Sequence, residues 1–386
     1  MADWASRLRE WGVHTALPFW AERAWDKRSG GFLESLSLDG QPVTGDTRRV
    51  RTQARQIYVF ARSHHAGWTD GLDLAVEGFE VLERRAHAPD GTPGWVHTLT
   101  ASGDIESPAR DLYDHAFILL ALAWLHRVTR DSHYRQLADE ILIYLDTHLT
   151  RPQGGYAEAI GAAQLPRRQN PHMHLFEALL AWYDATGDRT FLTRIEAIYQ
   201  LFSTRFLDRD AGVLYEFFDA DWQVTDDPAG AVVEPGHEVE WIWLLHAYRD
   251  HGAKVDETIL DFLHAHGTGI GRSRETGCLV ATVRPDGRTL DAGSRTWMQT
   301  EWLRAAAARQ RAGHASAGAE LETVCDLLFK HHLDPAIPGG WIDQIDASGQ
   351  RVADRMPAST LYHVLGAVVD AHRTGSNVVE SAANVL

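Results

Sequence analysis

Apolar residues recur along most of this chain at steps of three and four, the period of a helix with one buried face. In NPHMHLFEALLAWY (170–183), Phe176, Leu179, Leu180 and Tyr183 make such a stripe. Pro171 suits a first helical turn and Asn170 the cap before it. Two kinds of run alternate. SHYRQLADEILIYLDTHL (132–149) and DRTFLTRIEAIYQLFSTRF (188–206) are amphipathic and predict helices with one wet face. LYDHAFILLALAWLH (112–126) and HEVEWIWLLHAY (237–248) are apolar on more of their circumference, which predicts helices enclosed by others.

A turn with its own signature separates the two kinds: glycine, an apolar residue, then often an acid. It reads GGFLE (30–34), PGWVH (93–97), GGYAE (154–158), GVLYE (212–216), GCLVA (277–281) and GGWID (339–343). Counted from the glycine at 31, 94, 155, 212, 277 and 340, the spacings are 63, 61, 57, 65 and 63 residues. Six units of such similar length are an internal repeat. Each unit runs amphipathic helix, glycine turn, short hairpin, apolar helix, with hairpin signals such as Pro89-Asp90-Gly91 and Pro285-Asp286-Gly287. The predicted fold is therefore all-α: an (α/α)6 barrel of about twelve helices, with short hairpins at one end. It forms a single catalytic domain over residues 1–375, followed by a flexible tail at 376–386. An open solenoid of helix pairs is the competing arrangement; the enclosed character of the inner helices favours closure.

Composition narrows the partners. Lys plus Arg number 37 and Asp plus Glu 53, a net charge of −16 with no basic run to offset it, which excludes the cationic face that nucleic acid needs. Cys278 and Cys325 are far apart, so neither a disulfide framework nor a cysteine zinc site is expected. No run approaches the roughly 18 apolar residues of a membrane span, and the N-terminus is too polar for a signal peptide. A cytoplasmic protein without a membrane partner is expected.

In a closed ring, the glycine turns and the starts of the inner helices share one end. The residues predicted there are Arg51 and Arg55; Asp111, Tyr113 and His115; Asn170, His172, His174 and Glu177; His237 and Glu240; Trp297, Gln299 and Glu301; Arg355 and His363. His172 and His174 form an HxH pair, but residues i and i+2 of a helix point about 200° apart, so joint metal ligation is not expected. His174 with Glu177, and His237 with Glu240, are i,i+3 neighbours that singly read as helix decoration. Their recurrence in successive units argues for a pocket wall instead. The remaining histidines, His246, His331 and His332 among them, read as ordinary core or surface residues. No GxSxG, P-loop, dinucleotide GxGxxG or HExxH motif occurs, so no cofactor and no metal are expected. Aromatic faces with planar polar groups suit a monosaccharide or disaccharide, and histidines suit proton transfer near neutral pH.

RTQARQIYVFAR, DLYDHAF, RRQNPHMHLFEALLA, EPGHEVEWIWLL, TWMQTEWL and the C-terminal LYH, in this order across nearly the whole chain, resemble the N-acylglucosamine 2-epimerase superfamily. The resemblance implies the barrel already inferred, a homodimer as the common assembly, and a sugar isomerase or 2-epimerase working at C2. It implies acid/base roles for His237 and His363, a third catalytic histidine in His174, and carbonyl or enediolate binding by Arg55. Tyr113, Asn170, Glu240, Trp297 and Glu301 match substrate-contacting positions. Arg51 departs from the pattern, standing where many relatives carry an aromatic residue. The expected reaction is metal-free aldose–ketose isomerisation of the mannose–fructose type through a cis-enediol(ate), with 2-epimerisation as the alternative. Two readings from other classes stay open: an inverting glycoside hydrolase using Glu240 and Glu301, and a non-catalytic sugar-binding protein.

Overall fold

The computed structural model of the chain describes residues 4–161, 165–225 and 228–375; the expected tail at 376–386 lies outside them. Helices account for most of the described residues. They are α1 (Trp4–Trp11) and α2 (Leu17–Arg23), joined by a π-helical turn, then α3 (Val50–His65), α4 (Leu72–Ala86), α5 (Leu112–Thr129), α6 (Ser132–Tyr144) and α7 (Asn170–Thr186). There follow α8 (Thr190–Leu201), α9 (Pro235–Asp250), α10 (Glu257–Ala265), α11 (Thr296–Arg311), α12 (Ala317–Leu328) and α13 (Thr360–Gly375). With α1 and α2 taken as one rod, amphipathic and apolar helices alternate in the order that the sequence predicts.

The packing is cyclic. Helix α3 contacts α5, α5 contacts α7, α7 contacts α9, α9 contacts α11, α11 contacts α13, and α13 returns to α3. Outside them α4, α6, α8, α10 and α12 each pack on the inner helix that precedes them, while α1 packs on α13. Enclosure explains the composition of the inner helices: Ala116 through Leu125 of α5 are all buried. Trp20 stacks on Trp341 with ring centroids 4.5 Å apart, which ties the first unit to the last.

The short strands close the same circle. The two residues before α3 pair with 98–99 beyond the second glycine turn, 110–111 with 159–160, and 167–168 with 217–218. Val233 bridges Val283, 294–295 pair with 344–345, and 355–357 return to pair with 35–37 beyond the first turn. Each hairpin thus clamps the lead-in to the preceding unit's inner helix.

A buried polar side chain on the inner helix holds five of the six glycine turns from behind; at the sixth, Trp341 N–H meets Met356 sulfur instead. The backbone N–H of Phe32 donates to Gln53, that of Trp95 to His115 Nε2, and that of Tyr156 to His172 Nε2. Leu214 donates to Glu238 and Leu279 to Gln299 in the same way. The approach is close: at Gly155, with φ +64°, a Cβ would stand 2.9 Å from His172 Nε2. His115, His172 and Gln299, expected in the pocket wall, therefore serve the turns. The reason is the helix period, because a residue two positions from one that faces the ring centre faces away from it.

Candidate active site

A cavity of about 220 Å³ opens where the inner helices begin. Its lining brings together Arg51, Arg55, Tyr113, Asn170, His174, His237, Glu240, Trp297 and His363. Eight of these nine belong to the expected catalytic and substrate-binding set; Arg51 was the expected departure from the family pattern. Glu301, the remaining member, is not in the lining; its carboxylate stands behind His363, 2.8 Å from Nδ1. Asp111 is a helix cap, its side chain accepting from the backbone of Tyr113 and Asp114. Arg355 lies outside, paired with Asp46 at 3.0 Å. Asn170 does not cap α7: it is the helix's first residue, and its side-chain amide lies 3.1 Å from His237 Nε2.

Two histidines of the pocket sit in opposite fields. Burial disfavours the charged form of His237, but Glu216 at 3.0 Å and Glu234 at 3.5 Å from its Nδ1 more than offset this and hold its pKa well above the usual 6.5. It is an imidazolium at neutral pH. For His363 burial prevails. The hydrogen bond from Nδ1 to Glu301, 2.8 Å long, raises its pKa, yet burial with Arg55 and Arg304 keeps it below 6.5. His363 is a neutral base. Helix α11 stands between their helices in the ring, and its Trp297 packs against both, with ring centroids 5.2 Å from His237 and 5.6 Å from His363.

The floor of the pocket is a second relay. His174 has a pKa of about 4 because burial outweighs its 3.2 Å bond to Glu177. Glu177 also accepts from the Tyr362 hydroxyl. Burial first, then the nearby Glu301, raise the pKa of Glu240 well above the carboxylate range. Neither of its oxygens has a hydrogen-bond partner among the described residues, with His174 Nε2 3.8 Å from Oε1. A buried carboxyl with both oxygens open suits a ligand hydroxyl. Arg55 donates to the Tyr113 hydroxyl at 2.9 Å and lies 4.0 Å above the Phe117 ring, which fixes its guanidinium at the cavity edge. At the mouth, Arg49 pairs with Glu34, Arg51 with Asp114 at 3.3 Å, and Arg295 with Asp343 at 2.9 Å.

Several of these partners were not singled out from the sequence: Glu216, Glu234, Tyr362 and Arg304. For Glu216 the signal was present. It is the acid that closes the glycine-turn motif, and the equivalent acids do equivalent work: Glu34 holds Arg49 and Thr52, Glu158 holds Arg168, and Asp343 holds Arg295 and Thr360. Each turn acid orients a polar residue at the start of a neighbouring inner helix. Three groups bring nitrogen and carboxylate oxygens within 4.8 Å: His97, Asp111 and Asp114; Glu216, Glu234 and His237; Glu240, Glu301 and His363. In each, one carboxylate already binds the histidine Nδ1.

Comparison with known proteins agrees with this geometry. Residues 30–367 match the family model of N-acylglucosamine 2-epimerase. The chain is 34% identical to a mannose-6-phosphate isomerase of Rhizobium meliloti over 95% of its own length and 96% of the relative's. It is 23% identical to a cellobiose 2-epimerase of Bacteroides fragilis, covering 86% and 88%. Its fold superposes on a crystal structure of a D-mannose isomerase with a TM-score of 0.88 at 22% identity, covering 97% of this chain and 99% of that one.

Proposed function

The chain belongs to the N-acylglucosamine 2-epimerase family, and from that premise we propose that it is a metal-independent aldose–ketose isomerase acting at C2 of a mannose-type hexose. The observation that carries the reading is the pair His237 and His363, one protonated and one neutral, both against Trp297. Groups whose surroundings push their pKa values apart supply an acid and a base at one pH. We read the cyclic helix packing as the (α/α)6 barrel and residues 1–375 as one catalytic domain. The polar composition supports cytoplasmic residence.

In this mechanism the open-chain aldose lies against Trp297. Neutral His363 takes the C2 proton, the C1=C2 double bond forms, and the electron pair of the carbonyl moves onto O1. Arg55 and the His237 imidazolium stabilise that oxygen; such electrostatic contributions are worth several kcal/mol in water-poor sites. Transfer of the O2 proton to the O1 oxyanion and return of the proton from His363 to C1 leave the carbonyl at C2, which is the ketose. His174 and Glu240 hold hydroxyls. At about 220 Å³ the cavity is smaller than the roughly 300–1,000 Å³ of drug-sized sites, which supports a monosaccharide over a disaccharide. The mouth arginines already face carboxylates, which supports an unphosphorylated sugar.

Incubation with mannose in D2O is expected to yield fructose with deuterium at C1. Mannose 6-phosphate in place of mannose tests the neutral-sugar assignment, and release of sugar from a glycoside would instead favour hydrolysis. That last outcome is not expected, since Glu301 is tied to His363, Arg304 and Trp243, and Glu234, the other carboxylate of the lining, is paired with His237. One observation favours 2-epimerisation as the second reading. A base and an acid both abut Trp297, so a proton removed by one can be replaced by the other. Glucose with deuterium at C2 and no label at C1 marks that outcome.

Metal independence has its own test. The oxygen charge is met by Arg55 and His237, so EDTA treatment and dialysis are expected to leave turnover unchanged. Loss of activity restored by a divalent cation overturns this part of the mechanism.

A further inference from the structure

A second cavity, of about 270 Å³, lies at the opposite end of the ring, where α3, α9, α11 and α13 finish. Arg62, Arg249, Arg304 and Arg311 face it, with Asp250 and Asp370 as the opposing acids. This cationic excess sits in a chain of net charge −16. Arginines near helix C-termini ordinarily complement the helix dipole, and these have partners: Arg249 pairs with Glu257 at 2.5 Å and Arg311 with Asp370 at 3.1 Å.

His246 is what dipole complementation leaves unexplained. It faces the same cavity and is only 6% exposed. Arg249 Nη2 donates to its Nδ1 at 2.9 Å. A guanidinium has no acceptor, so Nδ1 is the accepting nitrogen and the ring proton sits on Nε2. Burial, then Arg249 and Arg311, push the pKa of His246 down to about 3, which keeps the ring neutral. That buried Nε2–H has no acceptor among the described residues. Leaving such a donor unmatched is costly, and an oxygen anion beside it removes the cost.

We propose that this basal cavity binds a phosphate group, free or as a monoester, through the His246 Nε2–H and the guanidinium groups of Arg249 and Arg311. Planar guanidinium forks match phosphate oxygens. The cavity also connects to the catalytic base. Arg304 lies 3.4 Å above the Trp243 ring, donates to Asp370 at 3.2 Å and to Glu301 at 3.2 Å. Glu301 in turn holds Nδ1 of His363. A bound anion offsets the positive field of Arg304, one of the groups that depress the His363 pKa. This coupling rests on His363 being the catalytic base; the binding does not.

Calorimetric titration with inorganic phosphate and with glycerol phosphate, at fixed ionic strength, tests both parts. Arg249→Gln and His246→Gln, checked for an unchanged melting profile, are each expected to weaken binding at least about tenfold, the loss of one charge-assisted or buried hydrogen bond. Arg295→Gln, at the sugar mouth, is expected to bind phosphate like the wild type. Phosphate is further expected to move the acid limb of the activity profile to higher pH in the wild type and not in Arg249→Gln. No binding, or binding lost only in Arg295→Gln, overturns the site. Binding at the basal site with an unmoved acid limb retains the site and removes the coupling.

Discussion

Replacement of His363 or His237 by alanine is expected to lower turnover by at least about 10²-fold, the lower end of what positioned acid–base groups contribute. Their side chains line a cavity that opens to solvent, so truncation enlarges the pocket without leaving a sealed void. The melting profile should stay close to the wild type. Solvent-deuterium exchange at C2 should vanish in His363→Ala, because that residue is the proposed acceptor of the proton. The wild-type pH profile follows from the two fields. Activity rises as His363 loses its proton, below pH 6.5, and falls as His237 loses its own, well above it. Glu216→Gln removes the carboxylate that holds His237 Nδ1, so the His237 pKa drops and the alkaline limb moves to lower pH. Full activity in either alanine variant, or an alkaline limb indifferent to Glu216→Gln, would end the assignment.

Acid is expected to destabilise the fold between pH 6.5 and about 4, through buried histidines. His115, His172 and His332 are buried and neutral, each with its pKa pushed by burial to about 4. In the unfolded chain they titrate near 6.5. Between those values the unfolded state binds more protons, so stability rises with pH across this window. Their contribution is complete above pH 6.5 and lost as pH falls to about 4. A shift of about 2.5 units corresponds to about 3 kcal/mol for each histidine, against a total stability of about 5–15 kcal/mol for a typical domain. Guanidinium denaturation midpoints should therefore drop steeply between pH 7.5 and 4.5. The repeat supplies the control. Gln53 and Gln299 occupy the position of His115 and His172 in their own units and accept the same turn N–H. The double variant His115→Gln, His172→Gln should fold at pH 7.5 and lose distinctly less stability on acidification. Equal acid sensitivity in the variant and the wild type would show that these two histidines do not carry the effect.

Among the pocket residues, legibility followed the helix period. His174 and Glu240 could be placed at the ring centre because each begins an apolar run at a known point of the repeat. Their neighbours two positions away, His172 and Glu238, carry equally reactive groups but face the turns. Residue type and position in the repeat put His115 and His172 in the pocket wall, when the backbone N–H donors behind them are what they serve. Glu216 was visible only as a member of a motif, since nothing local to GVLYE shows that its carboxylate meets His237, 21 residues on.

The sequence by itself determined the helical class, the six-unit repeat, the end of the molecule where chemistry collects, and most of the lining of the pocket. These are periodic properties, carried by spacings of three to four residues within helices and about sixty between units. Tertiary structure alone decided the protonation states that give the site its direction. His237 and His363 are the same residue type on equivalent helices. One is charged because Glu216 reaches it from a glycine turn while Glu234 reaches it from the cap of its own helix. The other is neutral because burial and two arginines, Arg55 and Arg304, outweigh a single carboxylate. Such balances depend on distances between side chains far apart in the chain, and on how much water is excluded between them, which no spacing along the sequence encodes.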